Sequence, residues 1–243
     1  MDNLWFERWF NSPYYHLLYG DRNESEAADF VQLLVQKFDL SAHEPVLDLA
    51  CGKGRYAIQL NKLGLAVEGI DLSKNSIVAA KPFENEKLHF AVHDMRCVYK
   101  PNHFGAVLNL FTSFGYFDDD RDNQKAMNAF TTNLKPDGIL VIDFMNTPKV
   151  IAHLVAEEMK TVSNITFDIR RKVAQGFIVK EIKFEAEGEQ HAYQERVKVI
   201  LLQDFMRYFA AAGLELREIY GDYTLAPYHA AQSERMIFVL GKK

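Results

Sequence analysis

Seven consecutive residues, Asp48-Leu49-Ala50-Cys51-Gly52-Lys53-Gly54, carry the strongest chemical signal in the chain. They follow a short apolar run, Val46-Leu47, and lead into Arg55-Tyr56-Ala57, where a helical pattern opens. Glycines in such a strand-to-helix turn let backbone N–H groups approach a ligand at the helix N-terminus. A second acid, Asp71, closes the next apolar run 17 residues after Gly54. A carboxylate at that place accepts hydrogen bonds from a ribose diol. Together the loop and the acid read as a site for a ligand that carries a nucleoside.

Two details separate the candidate ligands. The loop is Gly-x-Gly followed by Arg55-Tyr56-Ala57, so the third glycine of a dinucleotide fingerprint is missing. Asp48 also places a carboxylate at the mouth of the loop, where it repels a pyrophosphate. A nicotinamide-dependent oxidoreductase is therefore disfavoured. S-adenosylmethionine has no phosphate and carries an ammonium and a sulfonium, which suit a loop with a carboxylate.

The run VLDLACGKG with GIDLS downstream resembles the class I S-adenosylmethionine-dependent methyltransferases. The resemblance extends over 46–146. It takes in HDMR at 93–96, NLFTSFGYF at 109–117 and LKPDGILVIDF at 134–144. The order of elements is similar to the small-molecule branch, which includes sugar N-methyltransferases and glycine N-methyltransferase-like enzymes. One departure is Ala50, where many members have glycine; alanine is small enough to keep the loop usable. The resemblance implies that Asp48, Ala50, Gly52 and Gly54 line the methionine end of the cofactor. It places Asp71 on the ribose, Leu72 beside the adenine, Asp94 on the adenine amino group and Met95 against the ring. Leu110 and Phe111 flank the cofactor near the methyl, and Tyr15 and Tyr19 close over the site. Cys51, Arg55 and Ser73, within or beside these motifs, complete the cofactor-binding set. Asp48 as a cap of the next helix, and Asp71 as a cap shared with Ser73, are the plain structural alternatives.

The acceptor is less legible. Tyr116, Tyr223 and His229 are the candidates to meet it, against a reading of all three as packing or surface-loop residues. The fourth-strand exit, Asn109-Leu110-Phe111-Thr112, lacks the Asn/Asp-Pro-Pro-aromatic run of many amino-methylating enzymes of nucleic acid and protein glutamine. A small-molecule acceptor is expected. Methyl transfer from a sulfonium is an in-line displacement that depends on alignment and exclusion of water. No catalytic base is apparent. Cys51 reads as a packed residue rather than a nucleophile, and Cys97 as inert. The eight histidines show no metal-ligand spacing, so no metal is expected. The reading from a different class is a non-catalytic S-adenosylmethionine-binding or partner-binding module.

These residues need a scaffold, and the pattern supplies one. Strands are expected at Val46–Ala50, Leu65–Ile70, Leu88–Val92, Gly105–Leu110 and Ile139–Phe144, alternating with helices. Lys135-Pro136-Asp137-Gly138 reads as a turn. That alternation implies an α/β doubly wound, mostly parallel sheet, seven-stranded by family likeness, with the last strand antiparallel. Upstream, Trp5, Phe6, Trp9 and Phe10 recur at helical spacing, and Asn23 with Glu26 forms a capping box for a second helix. Downstream of about residue 160 the period changes to two, around Ile165, Phe167 and Ile169. This predicts an inserted three-stranded antiparallel meander, acting as a substrate lid or as a homodimer contact. The chain thus divides into an N-terminal helical segment closing the cofactor site (1–40), a cofactor-binding core (41–160), the insert (161–201) and the completion of the core (202–243).

Bulk properties agree. The 243 residues carry a net charge of -5, with 48% hydrophobic and 25% charged residues. The densest basic run is Arg170-Arg171-Lys172, too little for a nucleic-acid partner. No apolar run approaches the ~18 residues of a membrane span. The N-terminus has no signal-peptide pattern, so the expected location is cytoplasmic.

Overall fold

The computed structural model describes residues 5–20 and 24–243. The predicted capping residue Asn23 lies outside them. Among the described residues eleven strands form two sheets. The larger contains β1 (Val46–Leu49), β2 (Val67–Asp71), β3 (Leu88–Val92), β4 (Phe104–Asn109), β5 (Leu134–Met145), β10 (Leu214–Tyr220) and β11 (Arg235–Lys242). Its order is β10-β11-β5-β4-β1-β2-β3. Only β11 runs against its neighbours, pairing antiparallel with both β5 and β10.

Near-continuous apolar strands demand cover on both faces. Alternate residues of β1 and β4 go to opposite sides. Val46, Ala106 and Leu108 meet α3 (Glu24–Lys37), α4 (Arg55–Lys62) and α5 (Lys74–Ala80). Leu47, Leu49 and Val107 meet α6 (Asp120–Asn133) and α7 (Leu202–Ala211). The predicted turn at 135–138 is absorbed into β5. Leu134 pairs with Phe104 and Ile139 with Ala106, so the extra residues bulge out of the register.

The second sheet corrects the predicted three-stranded meander. It has four antiparallel strands, in the order β6 (Glu157–Val162), β7 (Ile165–Ala174), β8 (Phe177–Ala186) and β9 (Glu189–Lys198). The extra strand, β6, is an edge. Its Glu157 and Met159 are exposed, so it lacks the buried alternate residues that mark a strand in a sequence. On the inner face Phe167, Ile169, Ile182 and Phe184 pack against Trp9 and Leu18, from α1 (Trp5–Phe10) and α2 (Pro13–Leu18). The aromatic N-terminal residues are therefore a packed face, with Trp9 fully buried. Among the described residues no helix is long and apolar enough to cross a membrane.

Candidate active site

The glycine loop is shaped by backbone conformation. Ala50, Gly52 and Gly54 have φ of 57°, 58° and 85°, the left-handed region that glycine tolerates best. Ala50 takes it as an alanine, a modest strain of the sort held at functional sites. Gly54 is fixed for a second reason: a Cβ there would lie 2.6 Å from the Phe90 ring. As N-cap of α4, Gly54 offers no side chain to the first helical N–H groups. Asp48 does so from β1, accepting from the Ala57 N–H at 3.1 Å. Asp48 is thus both a helix cap and a cavity-lining carboxylate.

Asp71, at the end of β2, accepts from the Gly52 N–H at 2.9 Å and the Ser73 N–H at 2.7 Å. It ties the loop to the start of α5. Ser73 itself caps α5, its hydroxyl accepting from the Ser76 N–H at 3.1 Å. Burial raises the Asp71 carboxyl above its ordinary value, partly offset by these two backbone bonds. Asp94 behaves oppositely. Burial would raise it, but the Arg96 guanidinium, bonded to both its oxygens, holds it below the usual carboxylate range.

Asp48, Ala50, Gly52, Asp71, Ser73 and Asp94 line one cavity of about 630 Å³, within the ~300–1,000 Å³ of sites that hold small ligands. The cavity brings together Tyr15, Tyr19, Asp48, Ala50, Cys51, Gly52, Arg55, Asp71, Leu72, Ser73, Asp94, Met95, Leu110, Phe111 and Tyr116. Gly54 stands behind the loop. Tyr223 and His229 do not reach the cavity. The Tyr223 hydroxyl donates to Asp143 at 3.0 Å, and its ring packs on Phe30. His229 sits in the exposed loop before β11, where its N–H donates to Ser233. Cys51 is buried and its thiol is pushed well above the ordinary range by burial, which suits a packed residue.

Sequence reasoning passed over Glu195, Arg235 and Asp143, and over how the expected Tyr15, Tyr19 and Tyr116 come together. Tyr116, Phe10, Tyr15 and Tyr19 form an arc of rings with successive centroids 5.4, 5.0 and 5.0 Å apart. Glu195, from β9, brings a carboxylate to the same cavity across more than a hundred residues of sequence. Arg235 lines it too, paired with the fully buried Asp143 at 2.7 Å. Asp143 also accepts from the Phe111 N–H at 2.8 Å, and Arg235 donates to the Thr112 hydroxyl at 2.9 Å. This network holds Phe111 and Thr112 at φ of 60° and 57°, aiming the fourth-strand exit at the cavity. An acid inside the apolar run VIDF was the available signal, since a buried charge requires a partner.

The carboxylates Glu24, Asp48, Asp71, Asp94 and Glu195 outnumber the cations Lys53, Arg55 and Arg235 in the lining. A ligand with net positive charge fits that field, as does one with a diol opposite Asp71. S-adenosylmethionine meets both conditions and a dinucleotide does not.

Comparison with known proteins agrees with this geometry. A family described as methyltransferase domain matches residues 40–213. The chain is 26% identical over 219 residues to dTDP-3-amino-3,4,6-trideoxy-alpha-D-glucopyranose N,N-dimethyltransferase of Streptomyces venezuelae, covering 85% of this chain and 91% of that protein. It is 32% identical over 137 residues to a glycine/sarcosine N-methyltransferase of Parasynechococcus marenigrum, covering 54% and 46%. Among solved structures, an S-adenosylmethionine-dependent methyltransferase from Clostridium acetobutylicum superposes with a TM-score of 0.78 at 18% identity, covering 94% and 96%. The chain belongs to the methyltransferase-domain family and has the class I fold. It is an S-adenosylmethionine-dependent methyltransferase.

Burial raises the Asp48 carboxyl to about 7, with Asp71 nearby adding to the rise and Ala57 and Arg55 opposing it. Below that pH the free protein holds Asp48 neutral. The stability this gives is complete below the ordinary carboxyl range and is lost as pH rises through about 7. A cationic ligand favours the charged form, so binding expels a proton. S-adenosylmethionine affinity should therefore rise with pH up to about 7, by at most about tenfold per unit, and level off above. Asp48→Asn should flatten this slope in calorimetry between pH 5.5 and 8. An unchanged slope in that variant removes Asp48 as the cause.

Proposed function

We propose that this methyltransferase acts on an amine nitrogen of a small-molecule acceptor. The observation that carries the reading is the cavity, with a nucleoside-suited carboxylate set along one part and an aromatic arc with Glu195 along another. Its volume of about 630 Å³ leaves room for a small acceptor beside the cofactor. The related sugar N,N-dimethyltransferase and glycine/sarcosine N-methyltransferase act on amino groups, which supports nitrogen as the target.

Asp48, Ala50 and Gly52 would hold the methionine end, Asp71 the ribose, and Leu72, Asp94 and Met95 the adenine. S-adenosylmethionine supplies a methyl already activated on sulfur. The chain's own task is then to orient and to exclude water. Leu110 and Phe111 narrow the cavity beside the loop, and Tyr15, Tyr19 and Tyr116 wall it. The N-terminal helices and the four-stranded sheet would together serve as the lid. The outer face of that sheet carries Thr166, Arg170, Lys172, Lys183 and Glu185, all exposed, which favours a lid over a dimer contact.

S-adenosylmethionine at 100 times its Kd should stabilise the protein by about 2.7 kcal/mol, and NAD should give no shift. A panel of aminosugars and amino acids should then give S-adenosylhomocysteine only with amine-bearing members. A melting shift with NAD alone, or turnover only with hydroxyl acceptors, rejects this function.

A further inference from the structure

The inner face of the four-stranded sheet changes character along its length. Across one rung, Ile169, Ile182 and Tyr193 lie in register and pack against the N-terminal helices. Two residues along, the same face places Arg171 opposite Lys180 and Lys180 opposite Glu195. An apolar surface thus turns charged for one rung. Of these three, Glu195 alone lines the cavity.

The partners of Glu195 are uneven. Its Oε1 accepts from the Trp9 indole N–H and from the Tyr19 hydroxyl, both at 2.6 Å. Its Oε2 lies 3.7 Å from the Lys180 ammonium, too far for a hydrogen bond. Lys180 instead donates to the Tyr19 hydroxyl and sits 4.5 Å from the centre of that ring. Arg171 is engaged by Glu158 at 2.5 Å. A carboxylate kept only as a structural ion pair is expected to satisfy both oxygens, because an unsatisfied buried acceptor is costly. Here one oxygen is pinned by two neutral donors, and the other keeps acceptor capacity beside a cavity.

The aromatic arc supplies the second half of the recognition. Aromatic faces attract cations, and more strongly where water is excluded. A carboxylate with an open oxygen beside such rings suits a protonated amine better than a hydroxyl. Resting on the methyltransferase reading above, we propose that Glu195 is the residue that recognises the acceptor amine, holding it against the rings of Tyr15, Tyr19 and Tyr116. Trp9 and Tyr19 orient its carboxylate, and Lys180 competes with the acceptor for it.

The only two tryptophans, Trp5 and Trp9, lie in the helix beside Glu195, so their fluorescence reports occupancy. Cyclohexylamine and its uncharged analogue cyclohexanol are titrated into protein saturated with S-adenosylhomocysteine. The amine should bind at least about tenfold more tightly, the scale of a charge-assisted hydrogen bond. Glu195→Gln should reduce the amine to the affinity of the alcohol and leave S-adenosylhomocysteine binding unchanged, which also shows that the variant is folded. Lys180→Met should act in the opposite direction and tighten the amine about threefold. Persistence of the amine preference in Glu195→Gln overturns the proposal. So does equal weakening in both variants, the signature of a purely structural ion pair. Failure of the unmodified protein to bind S-adenosylhomocysteine overturns the methyltransferase reading itself, and is told apart by that measurement alone.

Discussion

Replacing Arg235 with methionine should cost the free protein about 3–5 kcal/mol of stability, the usual result of stripping one partner from a buried ion pair. Asp143 is fully buried, and Arg235 supplies its only countercharge among the described ion pairs. The remaining donors to Asp143, the Phe111 N–H and the Tyr223 hydroxyl, are neutral. They cannot compensate a full charge away from water. Denaturant unfolding monitored by circular dichroism gives the number. The double variant Asp143→Asn with Arg235→Met should recover most of the loss, because it removes the orphaned charge along with its partner. A loss under about 1 kcal/mol in the single variant would mean that water reaches Asp143. The same pair holds Phe111 and Thr112 in left-handed backbone conformations. Cofactor affinity should fall in the single variant and return only partly in the double one, since the guanidinium bond to Thr112 stays absent.

Both faces of the parallel sheet were legible because local pattern and tertiary demand coincide there. A strand buried on both sides, such as Phe104–Asn109, can only be written in apolar residues. The glycine loop was legible for a similar reason: its backbone conformation restricts which residues can occupy it. β6 was not, because an edge strand with exposed Glu157 and Met159 has no need of a buried alternate face. Glu195 was hidden more deeply. In the run Gln190 to Lys198 it is one of many polar residues, and nothing local says that it meets Trp9 across 186 positions. Tyr223 shows the converse case. An aromatic residue in a loop before the last strand suggests a substrate contact, yet its hydroxyl is consumed by Asp143. Sites made by strands that meet through a crossover are set by topology, and topology leaves no mark on the individual residues.

Asp71→Ala should weaken S-adenosylmethionine binding by about one to two orders of magnitude, since a charge-assisted hydrogen bond is worth ~1.5–3 kcal/mol. The structure places a second effect on the same side. Asp71 also holds the Gly52 N–H, so the variant frees the loop as well as removing the carboxylate proposed to accept from the ribose diol. The upper end of the range is therefore the expected one. Stability should respond less than affinity. Burial raises the Asp71 carboxyl above its ordinary value, which means that its ionised form works against folding at neutral pH. Losing that penalty offsets part of the loss of the two backbone hydrogen bonds. The melting temperature of the free protein should hardly move, while the shift produced by a fixed concentration of S-adenosylmethionine should shrink sharply. Calorimetry supplies the dissociation constants and scanning fluorimetry the two melting shifts. Asp71→Asn is the sharper control, because it keeps the side-chain volume but directs an amide N–H₂ at either Gly52 or Ser73. It should bind no better than the alanine variant if ionisation and loop anchoring are what the position supplies. An unchanged dissociation constant in Asp71→Ala would leave the carboxylate with only its helix-start role beside Ser73.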